Sequence, residues 1–316
     1  MRAAGNSALC KLHAQKLPAA LRLLRSSSQT RPPTRLKTTK AAQGRKSEKP
    51  EPQRLSKTLA AAGVASRRAA ENIIFAGRVL VNGKTESLPQ RKVVPGKDKI
   101  SLDGKLLALQ RPKHVYFALN KPKGYICSSS ADDNAQQTPR LAVDLLSDWT
   151  RRQTQRDSPQ ASLPPRLFTV GRLDVQSTGL ILVTNDGPWA NQVSHPSHGV
   201  TKEYVVTTNE PANKRQLKEL EQGCTIEGVA VKPVGVAVET SDPSKRNKLR
   251  IVIAEGKNRE VRQLVSHVGL DVVYLKRVRV GGYRIPKDLG IGQFVELKPH
   301  EVRRVTDIGA QSNPYL

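Results

Sequence analysis

Residues 168–187 read FTVGRLDVQSTGLILVTNDG, and this stretch carries the densest structural signal in the chain. A strand-like entry leads into a polar turn, and an apolar strand then covers residues 179–184. The pattern places the charged pair Arg172 and Asp174 on a loop between two buried strands, where catalytic groups are often found. From the residues alone, an aspartate that caps a turn is the simpler interpretation, because aspartate is a common turn residue.

Strand patterns dominate the chain around this stretch, and helical patterns interrupt them twice. Strands mixed with few helices predict an α+β domain. The predicted strands are 115–119, 179–184, 203–208, 229–239 and 248–254, and the predicted helices are 213–222 and 259–268. The polar segment 128–165 contains Pro and Ser and one short apolar piece at 141–146, and the remainder, especially 150–165, is interpreted as an extended surface loop.

Residues 54–113 predict a separate, small and markedly basic domain. Its pattern gives helices at 55–60 and 66–75, the second with Ser66 as a plausible N-cap. A strand at 78–84 runs into an Asn-Gly turn, which is typical of a hairpin.

Residues 1–53 differ from the rest in composition. No Asp or Glu precedes Glu48, while arginine, lysine, serine and threonine are spread throughout. An acid-poor, Arg- and Ser-rich start is typical of an organelle transit peptide. A disordered basic tail that binds RNA is the alternative. The composition predicts the chloroplast stroma or the mitochondrial matrix without deciding between them.

The charge balance points to a polyanionic partner. The formal net charge is +26, from 53 basic and 27 acidic residues, and phosphate contacts would supply much of the affinity for a nucleic acid. No run of about 18 apolar residues is present, so no membrane partner is expected. The cysteines Cys10, Cys127 and Cys224 are far apart and odd in number, which favours reduced thiols over disulfides or a Cys-pair zinc site.

Five ordered motifs add a more specific signal. In chain order they are LNKPKGY (119–125), VDLL (143–146), the stretch 168–187, HP with KEYVV (195–196 and 202–206) and EGKNREVRQL (255–264). Together they resemble the RsuA-type pseudouridine synthases, the bacterial enzymes that modify small- and large-subunit ribosomal RNA. Residues 54–113 resemble the S4-like RNA-binding domain that precedes the catalytic domain in this family.

The resemblance implies a fold and an activity. The implied fold is α+β: an N-terminal S4-like domain, then a catalytic domain at 114–308 with a mixed, mostly antiparallel β-sheet, and a tail at 309–316. The implied activity is the isomerisation of a specific uridine to pseudouridine in organellar ribosomal RNA, without metal or cofactor. The protein is expected to act as a monomer on structured RNA or a ribosomal subunit precursor.

Residue roles follow from the matched motifs. Asp174 occupies the position of the catalytic aspartate, whose ionised carboxylate acts as the nucleophile. Tyr204 matches the tyrosine that stacks on a base pulled out of an RNA helix, although a core aromatic in a strand is its alternative interpretation. Arg262 matches the arginine that pairs with the aspartate and favours its charged form, although a solvated arginine on a helix face is the default.

Further basic residues are expected to contact RNA phosphates or to help orient the site, rather than to take part in chemistry. In the catalytic domain these are Arg172, Lys257, Arg259, Lys121 and Lys123, and in the small domain Ser66, Arg67, Arg68 and Arg78. The large net charge favours RNA binding over a merely solvated surface. His195 is rejected as a general base, because His195-Pro196 is typical of a turn.

Two other functions compete with the enzyme. One is a catalytically inactive RNA-binding or ribosome-assembly factor on the same fold, and the other is a DNA-binding regulator. The presence of Asp174, Tyr204 and Arg262 together favours the enzyme over the inactive factor.

Overall fold

The computed structural model describes residues 51–107, 113–128, 140–156, 166–239 and 247–307. The predicted tail at 309–316 lies outside the described residues, and so does the predicted transit peptide apart from its last three residues. Within the described part of the chain, no helix is long and apolar enough to cross a membrane.

The first part of the described chain forms a small α+β unit around its own apolar core, which includes Leu55, Leu59 and Ile74. Its turn at Asn82-Gly83 has φ values of 52° and 81°, as the predicted hairpin requires. The elements are β1 (Gln53–Arg54), α1 (Leu55–Ala61), α2 (Arg67–Phe75), β2 (Val79–Val81), β3 (Lys84–Thr85), β4 (Lys92–Val93), β5 (Ile100–Leu102) and β6 (Lys105–Leu106).

The second part is built on a nine-stranded sheet. Its strands are β7 (Tyr116–Lys121), β8 (Phe168–Val170), β9 (Thr178–Thr184), β10 (Lys202–Thr208), β13 (Gly235–Val238), β14 (Lys248–Ile253), β15 (Val272–Val280), β16 (Tyr283–Arg284) and β17 (Phe294–Glu296). Two short strands, β11 (Cys224–Ile226) and β12 (Val229–Val231), form a separate hairpin.

The sheet has the order β13-β14-β10-β15-β9-β7-β17, with β16 paired to β15 and β8 paired to β9. Among the described strand pairs, β9 and β15 run parallel and the others run antiparallel. The prediction of an α+β fold with a mixed, mostly antiparallel sheet is confirmed.

Helices cover both faces of this sheet. They are α3 (Ser147–Arg156), which follows a 3-10 turn at Ala142–Leu146, then α4 (Gly187–Ser194), α5 (Lys214–Gln222), α6 (Glu260–His267) and α7 (Pro299–Thr306). Ile181 belongs to the core beneath α5 and α6, and its neighbour Leu180 belongs to the core beneath α4 and α7. All seven residues of β9 are therefore buried, which explains its continuous apolar sequence.

Three predictions at the level of single elements were wrong or incomplete. Residues 147–156, all of which were expected in an extended loop, form α3, while residues 157–165 of that loop lie outside the described chain. The predicted strand 229–239 is split into β12 and β13. Strand β15 and helices α4 and α7 were not predicted.

Candidate active site

The polar turn of the stretch 168–187 connects β8 to β9. The backbone N–H of Ser177 donates a 3.0 Å hydrogen bond to the carbonyl oxygen of Asp174 and so closes the turn. Gly179 follows it with φ of 97°, and a Cβ atom there would lie 2.2 Å from the backbone oxygen of Arg277 on β15. Glycine is required at this position because the two parallel strands approach too closely for any side chain.

Asp174 is partly open to solvent, with its side chain 32% exposed. Its Oδ2 atom lies 3.7 Å from Nε of Arg262 and 3.5 Å from the Ser177 hydroxyl, which donates to it. The distance to Arg262 is an ion-pair distance, too long for a direct hydrogen bond. The carboxylate therefore keeps hydrogen-bonding capacity that these neighbours do not use.

Arg262 projects from the first turn of α6 towards Asp174. Its side chain is 16% exposed, and its buried Nε atom has no hydrogen-bond partner among the described residues. Burial lowers the pKa of this guanidinium, Arg259 lowers it further, and Asp174 acts in the opposite direction. Arg262 thus lies next to Asp174, as the sequence motifs predicted.

Tyr204 lies on β10 and is 8% exposed. It belongs to the apolar core and also lines a cavity of about 60 Å³ together with Asp174, Gly256 and Lys257. Asp174 and Tyr204 thus share one cavity, next to which Arg262 pairs with Asp174. The interpretation of Tyr204 as a core aromatic is confirmed, and its role in stacking on a base stays a prediction.

Lys121 does not occupy the position expected of a residue that contacts RNA. Its side chain is fully buried, and its ammonium donates 2.9 Å hydrogen bonds to the carbonyl oxygens of Pro122 and Ser177. Burial lowers the pKa of Lys121, the effects of Cys127 and Asp174 raise it, and that of Arg277 lowers it. This placement contradicts a phosphate contact. Lys121 instead stabilises the turn that carries Asp174 through its hydrogen bond to the Ser177 carbonyl oxygen.

Arg277 on β15 is a site residue that the sequence reasoning missed. It is 5% exposed, and it donates hydrogen bonds to the carbonyl oxygens of Leu180 (2.7 Å) and Arg172 (3.4 Å). It therefore ties both ends of the Asp174 turn to the neighbouring strand. The alternation of apolar and basic residues along β15 was the signal that could have revealed this strand.

Of the other predicted RNA contacts in this domain, Lys257 and Arg259 line the cavity, and Arg172 lies two residues before Asp174 in the same turn. Arg172, Lys123 and Arg259 are exposed, and Lys123 places its ammonium 5.3 Å from the centre of the Tyr274 ring. Lys257 is only 24% exposed, and its ammonium lies 3.3 Å from the Glu255 carboxylate. Arg172, Lys123 and Arg259 are available to phosphates, whereas Lys257 is already paired.

The basic residues of the small domain divide in the same way. Arg67 and Arg68 are exposed at the start of α2. The Ser66 hydroxyl oxygen accepts a 3.0 Å hydrogen bond from the N–H of Ala69 and so acts as the helix cap. Arg78 makes a two-pronged ion pair with Asp103, with distances of 2.9 and 2.5 Å, which reduces the charge that it offers to RNA.

Two further observations concern alternative chemistry. In the ranges that the structure describes, no group of three or more His, Cys, Asp or Glu side chains is arranged to hold a metal ion. The ring of His195 accepts a hydrogen bond from the N–H of Ser197, as the predicted turn requires.

Two family models match the chain. The model described as RNA pseudouridylate synthase covers residues 115–267, and the S4 domain model covers residues 53–98. A Bacillus subtilis protein named ribosomal large subunit pseudouridine synthase B is 35% identical over 80% of this chain and 95% of its own length. The chain belongs to the pseudouridine synthase family.

Other members of the pseudouridine synthase family agree with this assignment. A protein of Arabidopsis thaliana, provisionally named a chloroplastic ribosomal large subunit pseudouridine synthase, is 49% identical over 81% of this chain, which spans 61% of that relative's length. A crystal structure of a pseudouridylate synthase superposes with a TM-score of 0.52 at 27% identity, over 80% of this chain and 99% of the other.

Proposed function

We propose that this protein isomerises a specific uridine of ribosomal RNA to pseudouridine, with Asp174 as the nucleophile. The observation that carries the proposal is the cavity that Asp174 and Tyr204 line, with Arg262 facing Asp174 beside it. These three residues come from the turn between β8 and β9, from β10 and from α6. Because the chain belongs to the pseudouridine synthase family, we interpret these three residues as the catalytic group for uridine isomerisation.

The reaction replaces one glycosidic bond by another and moves one proton. The bond between N1 of uracil and C1′ of ribose breaks, the base turns, and C5 becomes bonded to C1′. C5 loses its proton and N1 gains one, so atoms and electrons balance without an external reactant. A carboxylate with spare hydrogen-bonding capacity suits a nucleophile, and the aromatic wall at Tyr204 suits a base removed from its stack.

The test uses the loss of the proton from C5. The purified chain is incubated with large-subunit or small-subunit ribosomal RNA transcribed with [5-³H]uridine, and released tritium is counted. Asp174→Asn, which removes the charge but keeps the shape, is expected to lower the rate by about 10⁴-fold, as loss of a catalytic residue does. A variant that releases tritium at the wild-type rate would show that the catalytic assignment is wrong.

We assign RNA binding to Arg67 and Arg68 in the small domain and to Arg172, Lys123 and Arg259 in the second domain. Their exposure leaves the cations free to neutralise phosphates, which makes affinity fall as salt rises. Competition between structured RNA and duplex DNA tests the class of nucleic acid, and a preference for DNA would count against the assignment.

We further propose that the protein works in an organelle, as the name of the Arabidopsis relative says of that protein. A fusion of residues 1–53 to a fluorescent protein is expected to enter a plastid or mitochondrion, and a diffuse cytosolic signal would refute this. The monomeric state stays a prediction, which light scattering of the purified chain tests.

A further inference from the structure

The segment 254–257, between β14 and α6, contributes Gly256 and Lys257 to the wall of the cavity, and two buried charged side chains hold its backbone by hydrogen bonds. The ammonium of Lys202 donates hydrogen bonds to the carbonyl oxygens of Ala254 (3.3 Å) and Glu255 (3.1 Å). One carboxylate oxygen of Glu260 accepts hydrogen bonds from the next two backbone N–H groups, each at 2.7 Å. The first two carbonyl oxygens of the segment thus face the Lys202 ammonium, and its last two N–H groups face the Glu260 carboxylate.

Both gripping side chains are almost completely buried. Lys202 is 8% exposed and Glu260 is 3% exposed. Burial of a charged group is costly unless hydrogen bonds compensate it, and lysine is rarely buried otherwise. The charged groups acting on Lys202 are Arg277 on β15 and Glu260 on α6. This arrangement is built around the backbone of the segment.

Two residues in and just after this segment have positive φ values, which the surrounding structure must stabilise. Gly256 has φ of 123°, and Arg259, the residue before α6, has φ of 51°. A left-handed conformation at a residue other than glycine persists only where its surroundings enforce it. Helix α6 starts at Glu260. The hydrogen bonds to segment 254–257 therefore also fix the position of the first turn of α6, which carries Arg262.

We propose that Lys202 is a positioning residue that ties the Tyr204 strand to the loop preceding Arg262 and so keeps the two walls of the cavity in register. Glu260 is its counterpart on the amide side of the loop. The inference rests on the proposed function for its kinetic consequences, but the grip on the loop is measurable without activity.

The charge of Lys202 gives the arrangement a pH dependence. Burial, together with the nearby Arg277, lowers the pKa of Lys202 to about 8, against the opposing effect of Glu260. Above this pH the ammonium becomes an amine, and its hydrogen bonds to the two carbonyls lose their charge-assisted strength. Between this pKa and that of an unfolded lysine, the unfolded state binds more protons, so this group makes folding more favourable as pH rises. The alkaline loss therefore concerns activity and not unfolding.

The kinetic experiment compares three variants in the tritium-release assay on [5-³H]uridine-labelled ribosomal RNA between pH 6.5 and 9.5. Lys202→Met is expected to lower kcat by about 10²-fold, the loss typical of a misplaced reacting group, and to remove the fall in kcat near pH 8. Lys202→Arg keeps a charge at all these pH values, so it is expected to retain activity at pH 9. Lys248→Met, an exposed site on β14, is the matched control and should behave as wild type.

A second measurement follows deuterium uptake by residues 254–260, which needs no catalysis. Uptake is expected to rise in Lys202→Met at pH 7 and to stay low in Lys202→Arg. If wild-type protein releases no tritium while uptake follows this pattern, the proposed function fails and the positioning role stands. Wild-type kcat and uptake in Lys202→Met would overturn the inference. If that variant does not fold, an equal alkaline fall in wild type and Lys202→Arg would overturn it.

Discussion

Two carboxylates of the catalytic domain are treated in opposite ways. Glu203 on β10 is fully buried and bound by three arginines: Arg279 and Arg284, at 2.7 and 2.8 Å, and Arg250. Asp174 is one-third exposed and faces Arg262 at 3.7 Å. Glu203 immediately precedes Tyr204, so one strand carries a saturated ion cluster next to a wall of the candidate active site.

The difference separates structural charge from reactive charge. A carboxylate that accepts several short, charge-assisted hydrogen bonds is stabilised in place, and its lone pairs are occupied. A carboxylate that faces one distant cation keeps lone pairs with which it can react. We infer that Glu203 contributes to the stability of the sheet, whereas Asp174 has few partners and keeps its carboxylate available for chemistry.

The largest effect is expected from Glu203→Gln, which keeps the shape of the side chain but removes its charge. The variant leaves three arginines around a neutral group, and breaking a buried ion pair in this way costs about 3–5 kcal/mol. Chemical denaturation measures the loss. Asp174→Asn is the matched control and should unfold within about 1 kcal/mol of wild type, and equal losses in both variants would erase the contrast.

The next effect is expected from Arg262→Lys, which keeps the charge that faces Asp174. An ammonium on a shorter stem cannot reproduce the planar guanidinium, so kcat should fall by about 10²-fold, as when a positioned donor is lost. Single-turnover tritium release at saturating enzyme measures the rate. An unchanged kcat would show that the positive charge beside Asp174 is sufficient and that the planar guanidinium geometry is not required.

A pH titration sharpens the comparison further. Burial alone would raise the pKa of Glu203, but hydrogen bonds from Arg279, Arg284 and Arg250 outweigh it and hold the pKa below its usual value. The stabilisation is therefore complete above the usual glutamate pKa of about 4.3 and is lost as pH falls through the lower, folded-state pKa. The stability difference between wild type and Glu203→Gln should be constant near neutral pH and should shrink below about pH 4. A difference that shrinks already near neutral pH would contradict this.

The smallest effect is expected from Arg284→Ala. The Arg284 side chain is 45% exposed, and Glu203 keeps its other two arginines. Partly exposed ion pairs contribute about 0.2–1 kcal/mol, so the free energy of unfolding should fall by no more than that. Arg303→Ala, an exposed arginine on α7, serves as the control, and a loss as large as that of Glu203→Gln would mean that the cluster depends on its outermost member.

The sequence was sufficient for the fold class and for the meeting of Asp174 with Arg262, because ordered motifs carry that information. It was not sufficient for Lys121, since a lysine in a motif gives no sign that it points inward to carbonyl oxygens. Strand β15 was missed because basic residues interrupt its apolar pattern, although two of them, Arg277 and Arg279, are buried. The partners of Glu203 come from β14, β15 and β16, and such long-range pairing has no local signature.

The close approach at Gly179 also has a consequence for how the protein is made. Thr178 pairs with Lys276 and Gly179 pairs with Arg277, so the strand that leaves the Asp174 turn is docked against a strand from near the end of the described chain. Contacts between residues so distant in sequence form slowly, because a long loop must close first. During synthesis, the ribosome must therefore extend the nascent chain beyond β15 before this site can assemble.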